Sequence, residues 1–122
     1  MPTVSQSAEA HTVRIELGDR SYDAHVGDGI LDHLAGWLSE HPALGKRCAI
    51  IADPVLRSNY AEPRLGRLSA RGFDPTLIFT NRDADTPSEA SKSMAIAADL
   101  CSQMLRAGHD RKSFVIALGG GV

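Results

Sequence analysis

The chain has almost no excess of charge: 13 Lys and Arg stand against 15 Asp and Glu in 122 residues, a formal net charge of -2 and a pI near 6.2. Without a basic field, nucleic acid and anionic lipid are poor candidates as partners. No apolar run exceeds five residues, a length reached at 48–52, 94–98 and 114–118, and roughly 20 are needed to cross a bilayer. Residues 1–10 lack the basic start and apolar stretch of a secretory signal, so they read as a polar, disordered tail and the protein as cytoplasmic. Cysteine is scarce too. Cys48 and Cys101 form no C-x-x-C spacing, and both are expected to be reduced core residues, neither a disulfide, a zinc site nor a nucleophile.

What remains is the composition of one soluble globular domain, 43% apolar and 23% charged, without internal repeats. Val13, Ile15 and Leu17 alternate, the turn Gly18-Asp19-Arg20-Ser21 follows, and Tyr22, Ala24 and Val26 alternate again. That pattern predicts a hairpin. Asp28 is the candidate N-cap of a helix carrying Ile30, Leu31, Leu34, Ala35 and Leu38 and ending near His41-Pro42. Residues 47–52 are then continuously apolar after Arg47 and close on Asp53-Pro54, as a strand buried on both faces does. Pro63 can start a second helix carrying Leu65 and Leu68, with Gly72 as its C-terminal cap.

Residues 76–80 predict a further strand and 81–85 a polar loop. Thr86-Pro87-Ser88-Glu89 has the form of a capping box opening a long helix with the stripe Ala97, Cys101, Met104 and Leu105, ended by Gly108. Asp110-Arg111-Lys112 turns the chain into a last buried strand, 113–118, and three glycines. The alternation predicts an α/β domain over 11–122, with a largely parallel sheet, flanking helices, right-handed crossovers and the N-terminal hairpin. In such sheets ligands bind beyond the carboxyl ends of the strands. Asp53, residues 81–92 and Gly119-Gly120-Gly121 fall there. A side-chain-free turn after a buried strand suits a dinucleotide pyrophosphate. A terminus at Val122 would set an α-carboxylate beside that phosphate and leave the strand uncovered, so the expectation is the front part of a longer protein.

The segments Leu17-Gly18-Asp19-Arg20-Ser21-Tyr22, Gly27-Asp28-Gly29-Ile30-Leu31, Ser88-Glu89-Ala90-Ser91-Lys92-Ser93, Asp110-Arg111 and Ile116-Ala117-Leu118-Gly119-Gly120-Gly121-Val122 stand in the order found in 3-dehydroquinate synthase. After the tail, the whole chain resembles the N-terminal, NAD-binding part of that family, a Rossmann-like domain. The resemblance implies a lyase of the shikimate pathway of aromatic amino acid biosynthesis. Such an enzyme converts 3-deoxy-D-arabino-heptulosonate 7-phosphate to 3-dehydroquinate and phosphate, with NAD reduced and reoxidised in one turnover.

By the same resemblance Asp53 matches the residue that contacts the adenosine ribose, and an Asx turn before Pro54 is its alternative reading. Glu89 and Lys92 match the G-E-x-x-K segment on the nicotinamide-ribose side, where Ser88 replaces the usual glycine; a capping Glu with an i,i+3 partner is the plainer reading. Gly119, Gly120, Gly121 and Val122 match the start of the phosphate-binding turn. The family's divalent zinc or cobalt is held by one Glu and two His of an all-helical C-terminal domain, and no ligand or catalytic residue is assigned to this chain. A homodimer is implied for the full-length enzyme. His11, His25, His33, His41 and His109 read as solvated or locally bonded side chains, Trp37 as packing, and Asp83 and Asp85 as a solvated loop. The rival readings are another sugar-phosphate cyclase such as a 2-deoxy-scyllo-inosose synthase, a metal-dependent glycerol or alcohol dehydrogenase, and a non-catalytic nucleotide-binding module.

Overall fold

A computed structural model describes residues 11–80 and 93–119. The expected tail at 1–10, the loop and capping box within 81–92, and Gly120, Gly121 and Val122 lie outside those residues. The chain divides into two compact units, 1–37 and 38–122, each taken by itself.

In the first unit β1 (His11–Ile15) pairs antiparallel with β2 (Tyr22–Val26), as the alternation predicted. The turn between them explains its own residues. Gly18 takes φ 67, which a side chain would resist. The Ser21 hydroxyl accepts from Leu17 N at 2.8 Å and donates to Gly18 O at 2.7 Å. The predicted single helix after Asp28 is instead a 3-10 turn, Ile30–His33, running into α1 (Leu34–Ser39). Asp28 is not its cap. Gly29 adopts the left-handed conformation at φ 67 and its carbonyl accepts from Asp32 N at 3.0 Å, which puts Asp28 one residue outside the turn.

The second unit holds a parallel sheet of three strands, β3 (Arg47–Ala52), β4 (Asp74–Phe79) and β5 (Phe114–Leu118), in the order β4-β3-β5. The central strand is the apolar one, with Cys48, Ala49, Ile50 and Ala52 buried. Helix α2 (Glu62–Ala70) joins β3 to β4, and α3 (Met94–Arg106) lies between β4 and β5. The step from β3 to β4 and the step from β4 back past β3 to β5 run in opposite directions. Right-handed connections therefore put α2 and α3 on opposite faces. The fold class is the α/β one expected, a parallel sheet with flanking helices preceded by an antiparallel hairpin. No helix among the described residues is long and apolar enough to cross a membrane.

Both helices end by the same device. Phe73 N donates to Leu68 O and Gly72 N to Ser69 O; His109 N donates to Met104 O and Gly108 N to Leu105 O. Gly72 and Gly108 stand at φ 87 and 89, the left-handed residue of a Schellman cap, as the sequence predicted. After α2 the apolar pair of that motif, Leu68 and Phe73, is buried, and each such side chain stabilises the fold by about 1.5–3 kcal/mol. Phe73 also meets Phe114 edge-on at 6.4 Å.

Three expectations need correction. Helix α3 begins afresh at Met94, where Ser93 is extended (φ -145) and its Oγ accepts from Ile96 N, so it does not run unbroken from the proposed box at Thr86. Its half-buried residues are Ile96, Asp99, Leu100, Gln103 and Met104, while Ala97, Cys101 and Leu105 of the predicted stripe are exposed, since the helix turns toward β4 rather than β5. Consequently Cys101 is not a core thiol. Finally, β5 is not buried on both faces. It pairs with β3 alone among the described strands, Val115 and Ala117 are exposed, and an open cleft of ≈520 Å³ lies between it and the end of α3.

Candidate functional site

The order β4-β3-β5 reverses the sense of the chain at β3. This is the switch point at which open α/β sheets form a crevice beyond their carboxyl ends. The last paired residues there are Ala52 and Leu118. One residue further on each strand stand Asp53 and Gly119, both picked out from the sequence.

Asp53 is half-buried and extended, with φ -71 and ψ 141. Its Oδ1 accepts from Val55 N at 3.0 Å and caps a 3-10 turn, Pro54–Leu56, whose first position is proline. The Asx turn weighed for this residue is therefore real. Gly119 is exposed and presents backbone without a side chain. Ser88, Glu89, Lys92, Gly120, Gly121 and Val122 lie outside the described residues, as do Asp83 and Asp85.

Three residues at this end were not singled out from the sequence. Arg57 opens a π-helical turn (Arg57–Ala61) after the Asp53 cap, and its guanidinium carbon lies 4.2 Å from the centre of the Phe79 ring. Phe79 ends β4 opposite Ala52. Thr80 follows; its amide donates to Ala52 O at 3.0 Å, but its buried Oγ1 has no partner among the described residues. A buried hydroxyl without a partner costs about 1–3 kcal/mol, and at the mouth of a crevice a ligand can supply it. The available signal was spacing: Arg57 comes four residues after Asp53, and Pro54 starts the turn between them.

The remaining candidates lie elsewhere. His109 is buried, not solvated, with Nε2 3.0 Å from Thr76 Oγ1 near the opposite ends of the strands. His25 lies 3.1 Å from Thr12 Oγ1 and meets the half-exposed Trp37 edge-on at 6.4 Å. Cys48 is fully buried, and burial, with the charge of Asp74 adding to it, pushes its thiol up to about 11, so it stays protonated and unreactive at neutral pH. Among the described residues no three His, Cys, Asp or Glu side chains gather as a metal site.

No family model matches the chain. Comparison with curated proteins finds the 3-dehydroquinate synthase of Sinorhizobium medicae, 32% identical over 115 residues, which is 94% of this chain and 29% of that protein. The 3-dehydroquinate synthases of Desulforamulus reducens and Pseudomonas fluorescens are 36% and 37% identical over 91% of the chain, again across 29% and 28% of their own lengths. The chain thus spans less than a third of the curated relatives it matches. By sequence the chain is similar, over nine-tenths of its own length, to somewhat under a third of these 3-dehydroquinate synthases.

Proposed function

We propose that this chain is the NAD-holding part of a 3-dehydroquinate synthase. The intact protein would convert 3-deoxy-D-arabino-heptulosonate 7-phosphate to 3-dehydroquinate and phosphate, in the cytoplasm and as a homodimer. What supports the reading is that Asp53 and Gly119 directly follow Ala52 and Leu118, the last paired residues of two neighbouring strands at the switch point of a parallel sheet.

The described residues suit a dinucleotide. A carboxylate fixed at the end of β3 can accept from both ribose hydroxyls, and a glycine at the end of β5 lets backbone N–H groups approach a pyrophosphate. The orphan hydroxyl of Thr80 offers one more polar contact at the same end. When bound, the cofactor supplies the acceptance and return of a hydride. The protein binds it, orients it and keeps water out. By the family resemblance, Glu89 and Lys92 would line the nicotinamide-ribose side, and Gly120, Gly121 and Val122 would continue the phosphate turn. The zinc or cobalt ion, whose chemistry is to polarise substrate oxygens, is assigned to residues outside this chain.

The test is calorimetric titration of the intact protein with NAD. Saturable binding that weakens on Asp53→Ala supports the reading, whereas absence of binding by the wild-type protein refutes it.

A further inference from the structure

The guanidinium carbon of Arg57 lies over the Phe79 ring, 4.2 Å from its centre, and no carboxylate of the described residues pairs with it. A cation–π contact with a ring satisfies none of the five N–H donors of a guanidinium, which stay available to an anion. Its position selects which anion. Phe79 ends β4, Asp53 follows β3 and Gly119 follows β5, so Arg57 lies on the side of Asp53 away from the glycine turn. A dinucleotide with its pyrophosphate at Gly119 and its ribose at Asp53 would leave Arg57 on the ribose side, away from the pyrophosphate, where a 2′-phosphate is the anion to be met.

We propose that Arg57, over the Phe79 ring, is a specificity residue for the adenosine ribose. It is a ready-made receptor for a 2′-phosphate that the carboxylate of Asp53 keeps from being used. The two residues oppose each other: Asp53 accepts from a free 2′-hydroxyl and repels a 2′-phosphate, while Arg57 attracts the phosphate and gains little from the hydroxyl. The site is therefore one charge removed from the opposite preference. This rests on the dinucleotide reading above and adds to it the choice between NAD and NADP.

The experiment measures dissociation constants of NAD and NADP for the intact protein and for Asp53→Asn, which retains a side-chain oxygen to cap Val55. Asp53→Asn is expected to raise the affinity for NADP relative to NAD about tenfold or more, since charge-assisted bonds to phosphate then go unopposed. Adding Arg57→Ala should cancel that rise. Adding Phe79→Leu, which leaves the charge but removes the ring under it, should cancel it in part. If Asp53→Asn leaves the ratio unchanged, or the rise survives Arg57→Ala, the proposal is overturned although NAD still binds. Failure of the wild type to bind either dinucleotide overturns the function reading and this inference with it.

Discussion

Arg47 Nη1 donates to the carbonyl oxygen of Gly108 at 2.6 Å, tying the first residue of β3 to the glycine that ends α3, 61 positions later in the chain. The same guanidinium reaches Asp74 Oδ2 at 3.2 Å through Nε, at the start of β4. One side chain thus ties the start of β3 to β4 and to the glycine turn that ends α3, at the end opposite the candidate site.

Replacing Arg47 by Met should destabilise the chain by about 1 kcal/mol, most of it from the bond to Gly108, because the half-exposed pair with Asp74 is worth only a few tenths. Gly108→Ala adds about 1–2 kcal/mol of left-handed strain, and its new Cβ would stand 3.3 Å from Arg47 Nη1. Gly72→Ala meets nothing within 4 Å and should cost less. Urea unfolding of Arg47→Met, Gly108→Ala and the double variant should give a total smaller than the sum, whereas Arg47→Met and Gly72→Ala should add.

Asp53 serves the fold as well as the proposed site. Asp53→Ala loses the cap on Val55 and should lower stability by about 1 kcal/mol, while Asp53→Asn should cost less than half of that. Thermal unfolding of the two variants separates the structural share from the binding share: equal losses would mean that the cap contributes nothing.

The Cys48 thiol gives a signed pH dependence. Its value in the fold, about 11, lies above the ordinary 9.0, so the folded chain keeps a proton that the unfolded chain releases. The stabilisation is fully present below pH 9 and is lost as pH rises from about 9 to about 11. Stability measured across that window should fall less steeply in Cys48→Ala than in the wild type, from a lower starting value because of the cavity left behind.

Much of this architecture was legible because local chemistry and tertiary packing agree. Gly72 and Gly108 are where helices must turn left-handed, and residues 48–52 have no polar face to offer water. Disagreement came where a local signal was outranked. Asp28 is a good capping residue, but Gly29 beside it makes the tighter turn. Ala97, Cys101 and Leu105 have helical spacing, yet spacing does not say which of two adjoining stripes a sheet will cover. His109 carries no sequence sign of burial; only its place as the first residue past the Gly108 turn brings it under Thr76. For the site, Asp53 and Gly119 could be named from residue type and position after apolar runs. Arg57 offered only its spacing from Asp53, and Phe79 and Thr80 offered nothing, because their relation to it depends on β3 and β4 lying side by side in register.

The Asx turn at Asp53 bears on how tightly any ligand could be held there. A surface carboxylate usually samples several rotamers, and a partner must immobilise it at a cost of about 0.5–1.5 kcal/mol. With Oδ1 already accepting from Val55 N and Pro54 restricting the next residue, Asp53 is preorganised. Its ordering entropy belongs to folding rather than to recognition, and what meets it at the end of β3 meets a fixed acceptor.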